Sequence, residues 1–321
     1  MKMVFMPSLR RAVAATSVLG TLLLASACGG GGQAPAPAAS EPGGLDVVVA
    51  AYPFQFLAER LAGPYASVQN LTQPGAEPHD VELTPRQVAD VAGADLVVYE
   101  KSFQPAVDAA VQQAGTDHVL DTATVVPLQP LVDDHGHAGG TEQGHDHAGL
   151  DPHVWQDPNN MTSIATAVTA RLVEADPAHR ADFEANLQTL TADLAGLDRD
   201  IAQGLTSCTR QEFITTHAAF GYLARRYGLE QIAISGLSPE AEPSPARVAE
   251  VSDLAKEHQI TTIFYETLVS PAVAKSIAGD LGLRTDVLDP IEGITDQSRG
   301  SDYLAVMRSN LTALRTANGC Q

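Results

Sequence analysis

Apolar and polar positions follow two alternating periods over most of this 321-residue chain. Short apolar runs such as DVVVAAYP (46–53) have the length and β-branched content of buried strands, and segments with helical spacing of apolar residues follow them. In the N-terminal part the predicted strands begin near residues 46, 67, 95 and 118. Strands that alternate with helices predict βαβ units and a parallel sheet.

The same alternation returns in the C-terminal part, with strands predicted at 212–217, 230–236, 260–266 and 284–290. Residues 158–206 between the two parts have a helical pattern. Within them, Asp176 is a predicted N-cap and Pro177 a first helical position, followed by apolar residues three and four apart (Phe183, Leu187, Leu190, Leu194, Leu197 and Ile201). The predicted fold is α/β, with two parallel-sheet lobes (45–157 and 207–321) joined through one long rigid α-helix of roughly 40 Å.

The N-terminus has the pattern of an export signal. Lys2, Arg10 and Arg11 precede an apolar run that ends in SAC at Cys28, which predicts a signal peptide over 1–27 and lipid attachment at Cys28. Ala25 stands three residues before the cysteine, where leucine is commoner. The alternative is an uncleaved membrane anchor, for which the run is short. Residues 28–44 have the composition of a flexible tether, so the mature protein is expected at the outer face of the cell membrane or in the periplasm.

Net charge limits the classes of partner, and the cysteine content predicts a disulfide. Removal of residues 1–27 takes away three of the 19 Lys and Arg and none of the 39 Asp and Glu, which leaves a formal charge of −23. Such a chain is not expected to bind nucleic acid, which requires clustered basic residues. Cys208 and Cys320 are predicted to form a disulfide outside the cytoplasm, the alternative being two buried thiols.

Four residues with metal-binding side chains fall on the predicted edge where the two lobes face each other, and in open parallel sheets ligands bind beyond the carboxyl ends of the strands. They are His79, His153, His217 and Asp289. Three imidazoles and one carboxylate match the ligands that zinc accepts. Each residue taken alone is more often structural, and the joint placement favours a metal site.

Several segments together resemble the zinc/manganese substrate-binding lipoproteins of bacterial ABC importers, in the right order from about Asp46 to the C-terminus. They are PHDVELTP (78–85), DPHVWQDP (151–158), THAAFGYLARRYGL (216–229), EPSPARVAEV (242–251) and VLDP (287–290). The resemblance implies that His79, His153, His217 and Asp289 hold the transported metal and that an ABC permease transmembrane subunit receives it. It also implies little movement of the lobes, because the long helix is stiff. We expect a monomer.

The histidine at position 217 favours Zn(II) as the transported ion, while Asp289 leaves Mn(II) open, because manganese prefers oxygen ligands. Two other functional classes compete with a metal receptor. A zinc hydrolase would need a water ligand and a general base, and the chain contains neither HExxH nor GxSxG. A surface adhesin could use the same fold with a structural metal.

The segment DDHGHAGGTEQGHDHAG (133–149) has no hydrophobic period and contains two HxH pairs, His135 with His137 and His145 with His147. Its composition predicts a flexible loop that binds zinc weakly and serves as an auxiliary metal site. The alternative is a solvated spacer without a function.

Overall fold

The computed structural model describes residues 44–131 and 149–321. Several predictions concern residues outside these ranges and stay predictions: the signal peptide (1–27), lipid attachment at Cys28, the tether up to residue 43, and the loop histidines His135, His137, His145 and His147. Within the described ranges, no helix is both long and apolar enough to cross a membrane.

The N-terminal part forms a parallel four-stranded sheet in the order β2-β1-β3-β4. Its elements are β1 (Leu45–Val49), α1 (Tyr52–Ala62), β2 (Ala66–Asn70), α2 (Pro85–Gly93), β3 (Leu96–Tyr99), α3 (Pro105–Ala114) and β4 (Val119–Asp121). The valines of β1 are buried. A strand covered on both faces is apolar at successive positions, which explains the continuous run of three valines at 47–49.

The chain between the two sheets is mainly helical. It contains a short antiparallel pair, β5 (Gln129–Pro130) with β6 (Leu150–Asp151), and then α4 (Pro158–Ala175) and α5 (Arg180–Gly204). Asp176 caps a single 3₁₀ turn at Pro177–His179, and α5 begins directly after it. The 25 residues of α5 correspond to about 38 Å at the standard helical rise. Its buried stripe contacts α1, α4 and α9 (Tyr303–Asn318).

The second parallel sheet has the order β10-β9-β7-β8. Its elements are β7 (Glu212–Thr215), α6 (Gly221–Tyr227), β8 (Glu230–Ala233), α7 (Pro245–Glu257), β9 (Thr262–Tyr265), α8 (Ala272–Leu281) and β10 (Arg284–Val287). The prediction of two parallel-sheet α/β units with a long helix between them is confirmed. The exact lobe boundaries at residues 157 and 206 stay predictions.

The predicted disulfide between Cys208 and Cys320 is present. It joins the segment before β7 to the second residue after the end of α9. Backbone hydrogen bonds run alongside it, from the amides of Thr209 and Arg210 to the carbonyl of Asn318. The disulfide therefore closes a loop that contains the whole second sheet.

We expect the double substitution Cys208→Ser and Cys320→Ser to lower the free energy of unfolding by about 2–5 kcal/mol, because the separation of 112 residues makes the closed loop long. Urea denaturation of the metal-free protein measures this change. Wild-type protein unfolded under reducing conditions is the control, and its free energy of unfolding should fall by a similar amount. An unchanged denaturation midpoint would contradict a stabilising role for the disulfide.

Candidate metal centre

Four side chains from loops at both sheets come together in the described part of the chain. His79 lies between β2 and α2, His153 follows β6, His217 lies between β7 and α6, and Glu292 lies in the loop after β10. One ligand atom from each residue lies within 4.8 Å of the others. The structure thus brings together the three histidines that the sequence predicted, with a different carboxylate.

The distances within this cluster fit a small tetrahedral ion. The Nε2 atoms of His79, His153 and His217 lie 3.4, 3.1 and 3.5 Å from Oε1 of Glu292. Ligands about 2.0–2.1 Å from a tetrahedral zinc ion are separated by about 3.4 Å, the edge of that tetrahedron. All four side chains are at most 4% exposed. The cluster therefore has the spacing of a metal site that is shielded from bulk water.

Asp289 occupies a different place from the one predicted. Its Oδ1 accepts a hydrogen bond from the amide of Ile291 (2.8 Å) and its Oδ2 accepts one from the Thr267 hydroxyl (3.2 Å). Its backbone amide and carbonyl are both bonded to the Asn310 side chain. The carboxylate of Asp289 thus turns the loop, and Glu292, three residues later, is the carboxylate that reaches the histidines. Glu292 is present in the segment DPIEG (289–293), but both the strand position and the resemblance of VLDP (287–290) to the family pointed to Asp289.

The loop that carries Glu292 adopts an unusual backbone conformation. Ile291 has a φ of 63°, a region that β-branched residues rarely occupy and that costs about 1–3 kcal/mol. The carbonyl of the preceding residue, Pro290, accepts hydrogen bonds from Trp155 Nε1 (2.7 Å) and Gln156 Nε2 (2.6 Å). These contacts, together with Asp289, hold the loop in the conformation that presents Glu292.

Carboxylates behind two of the histidines fix the orientation of their rings. Nδ1 of His153 lies 2.8 Å from Asp151 Oδ1, and Nδ1 of His217 lies 2.6 Å from Glu266 Oε1. The Thr216 hydroxyl also donates to Glu266. A hydrogen bond from Nδ1–H to a carboxylate leaves Nε2 as the coordinating atom and increases its basicity. Both rings therefore direct Nε2 towards the centre of the cluster.

The same contacts set the protonation of the metal-free cluster. Burial alone would raise the pKa of Glu292, but contacts with the three histidines hold that pKa well below its usual range. Burial lowers the pKa of His217, yet Glu266 and Glu292 raise it well above normal. The pKa of His153 is raised despite burial, through Asp151 and Glu292. Burial lowers the pKa of His79.

A further buried carboxyl group lies at the edge of the cluster. Burial and the charge of Glu292 raise the pKa of Glu77 to about 9, although a hydrogen bond from the backbone amide of His79 opposes this shift. Glu77 is thus neutral at pH 7. It supports the His79 loop without adding a second negative charge beside Glu292.

The donor set is chemically suited to a divalent cation. Oε2 of Glu292 and Nε2 of His217 are buried, and neither has a hydrogen-bond partner among the described residues. Unsatisfied buried polar atoms are costly, and a bound cation would satisfy lone pairs on both. Fold and site together define a two-lobed α/β protein with a buried centre suited to a metal ion.

The chain belongs to the family described as "Zinc-uptake complex component A periplasmic", whose model matches residues 47–317. The high-affinity zinc uptake system protein ZnuA of Bacillus subtilis is 33% identical over 299 residues, which cover 91% of this chain and 93% of that protein. The zinc-binding lipoprotein AdcA of Streptococcus pneumoniae is 35% identical over 301 residues. That match covers 92% of this chain but spans only 60% of the length of AdcA.

Solved structures share the fold. The Zn(II)-bound ZnuA-like domain of Streptococcus pneumoniae AdcA is 33% identical with a TM-score of 0.72, and the match covers 86% of this chain and 99% of that domain. The laminin-binding protein Lmb of Streptococcus agalactiae, described as having adhesin and metal transporting activity, is 28% identical with a TM-score of 0.74. That match covers 85% of this chain and 99% of Lmb.

Proposed function

We propose that this protein binds one Zn(II) ion through His79, His153, His217 and Glu292 and delivers it to an ABC-type membrane permease for uptake. The convergence of three Nε2 atoms on one carboxylate oxygen, at 3.1–3.5 Å in a buried site, carries this proposal. The names of the family and of the relatives in Bacillus subtilis and Streptococcus pneumoniae, which refer to zinc uptake or zinc binding, support it.

The donor set favours zinc over manganese. Three imidazole nitrogens with one carboxylate suit zinc, whereas manganese prefers sites made mainly of oxygen ligands. Zinc also lies above manganese in the general affinity order for divalent ions. Mn(II) is therefore a weaker ligand of the same site in this proposal.

Four protein ligands also favour transport over catalysis. A catalytic zinc site keeps an open position for water or substrate, whereas closed four-ligand sites hold the ion without activating water. The cluster of His79, His153, His217 and Glu292 supplies all four ligands from the protein. The ion is thus cargo, and no reaction takes place on it.

Export and anchoring complete the proposal. The signal peptide at 1–27 directs export, Cys28 carries the lipid, and residues 28–44 allow the folded part to reach the permease from the membrane surface. The relative AdcA is named a lipoprotein, which supports this location. The segment 133–149 would act as an auxiliary collector of zinc through its four histidines, and the protein would act as a monomer.

Native mass spectrometry of purified protein with and without residues 133–149 tests the proposal. We expect one tightly bound zinc ion in both forms, since the four ligands lie outside the deleted segment. Weaker additional ions should disappear with the deletion. Elemental analysis identifies the metal. A full-length protein that binds no tight zinc ion, or loses its only ion with the loop, would overturn the assigned site.

A further inference from the structure

Asp151 is the buried carboxylate that contacts ligand residue His153. It is the last residue of β6 and is 1% exposed. Its Oδ1 lies 2.8 Å from Nδ1 of His153 and accepts a second hydrogen bond from the backbone amide of that residue at 3.0 Å. Its Oδ2 lies 3.6 Å from Nη2 of Arg225. The position of Asp151 therefore decides where the imidazole of His153 points.

Two side chains of helix α6, those of Tyr222 and Arg225, contact Asp151. The Tyr222 hydroxyl donates a hydrogen bond to the carbonyl of Asp151 (3.1 Å) and accepts one from the amide of Gln129 (2.9 Å). The Arg225 guanidinium packs 4.9 Å from the centre of the Tyr222 ring and donates to the carbonyl of Pro130. Two residues of one helix thus hold both strands of the β5–β6 pair.

Gly221, the first residue of α6, allows Asp151 to come this close. A Cβ atom at position 221 would lie 2.5 Å from Oδ2 of Asp151, closer than real Cβ atoms approach other heavy atoms. The φ of Gly221 is not in the left-handed region, so backbone conformation does not require glycine here. Glycine is required here because the Asp151 carboxylate occupies the space that a side chain at position 221 would take.

We propose that Gly221, Tyr222 and Arg225 are positioning residues for the metal site, which act by fixing Asp151 and through it the ring of His153. The inference rests on the proposed zinc-binding function. Because α6 begins four residues after His217, one short segment carries one metal ligand and orients the partner of another. The same helix holds the β5–β6 pair, whose two strands border residues 132–148.

Gly221→Ala is the first test. We expect the zinc dissociation constant, measured by competition with a chelator, to rise roughly 10- to 100-fold, the effect typical of disturbing a residue behind a metal ligand. Gly279→Ala is the matched control, because Gly279 also lies in a helix and a Cβ atom added there would meet nothing within 4 Å. That control should keep wild-type affinity. Wild-type affinity in Gly221→Ala would overturn the proposal.

A double-mutant cycle with Asp151→Ala tests whether Gly221 acts through Asp151. Removal of the carboxylate removes the atom that the new methyl group would meet. The double variant should then bind zinc as Asp151→Ala alone does, since coupled residues give non-additive effects. If zinc affinity in the double variant falls by the product of the two single-variant effects, Gly221 does not act through Asp151 and the proposal is wrong.

Tyr222→Phe keeps the ring beside Arg225 and removes only the hydroxyl. We expect a roughly 2- to 10-fold weaker zinc affinity and a changed visible spectrum of the Co(II)-loaded protein, which reports ligand geometry. General destabilisation would lower the unfolding temperature and leave that spectrum unchanged, an outcome that contradicts positioning. A wild-type protein without tight zinc binding would instead refute the proposed function, whatever the variants do.

Discussion

Replacement of Glu292 by glutamine is expected to weaken zinc binding by roughly 10²- to 10⁴-fold. Glutamine keeps the shape of the side chain but removes the negative charge on which the Nε2 atoms of His79, His153 and His217 converge. Removal of one partner from a buried charge pair costs about 3–5 kcal/mol, which corresponds to this range. Competition with a chelator of known affinity measures the change.

Asp289→Asn is the matched control, because it makes the same change of charge three residues away in the same loop. The carboxylate of Asp289 accepts hydrogen bonds from the Ile291 amide and the Thr267 hydroxyl and does not contact the histidines. The zinc affinity of this variant should therefore fall by about 100-fold or less. A larger loss in Asp289→Asn than in Glu292→Gln would show that Asp289 is the ligand, as the sequence alone suggested.

Zinc affinity is expected to fall steeply on acidification, approaching a hundredfold per pH unit below about pH 6.5. Contacts with carboxylates raise the pKa of His153 and His217 against the effect of burial, so both imidazoles of the metal-free site hold protons that zinc must displace. Each displaced proton contributes a tenfold change per pH unit. Glu292 remains ionised because its pKa is lowered by the histidines.

The exchange of two protons for one divalent cation leaves the charge of the buried site unchanged. The carboxylates Asp151, Glu266 and Glu292 therefore face a similar positive charge with and without metal, which limits the electrostatic cost of releasing the ion. Calorimetry at about pH 6, in buffers with different heats of ionisation, should count close to two protons released per zinc ion. Affinity that does not change between pH 7 and pH 5 would contradict this exchange.

Stability of the metal-free protein should show the opposite dependence on pH in the neutral range. A histidine with a raised pKa in the folded state stabilises fully below its unfolded value of about 6.5, and this stability is lost as pH rises through the folded pKa. The raised pKa values of His153 and His217 thus favour the metal-free fold at mildly acidic pH. The unfolding temperatures of metal-free and zinc-loaded protein, measured across this pH range, distinguish the pH dependence of stability from the pH dependence of zinc binding.

The sequence alone determined the class of fold. Alternating strand and helix patterns predicted two parallel sheets, and local chemistry marked helix starts. Thr84 and Ser244 cap α2 and α7 by accepting hydrogen bonds from Gln87 and Arg247, and a proline follows each cap. These features depend on neighbouring residues, so they can be read from the chain directly.

The sequence also predicted the three histidines and the disulfide. His79, His153 and His217 stand in short segments near strand ends, and the carboxyl edges of parallel strands are where ligands collect. Cys208 and Cys320 were the remaining cysteines after Cys28, so their pairing needed no knowledge of the fold.

Only the tertiary structure decided which carboxylate lies together with the three histidines. The direction of Glu292 depends on a strained Ile291 held by Asp289, and on Trp155 and Gln156, which lie more than 130 residues earlier in the chain. The close approach of Gly221 to Asp151 likewise joins segments 70 residues apart. Periodicity and capping report local contacts, whereas a ligand's direction is set by hydrogen bonds between distant segments, and these exist only once the two sheets have packed together.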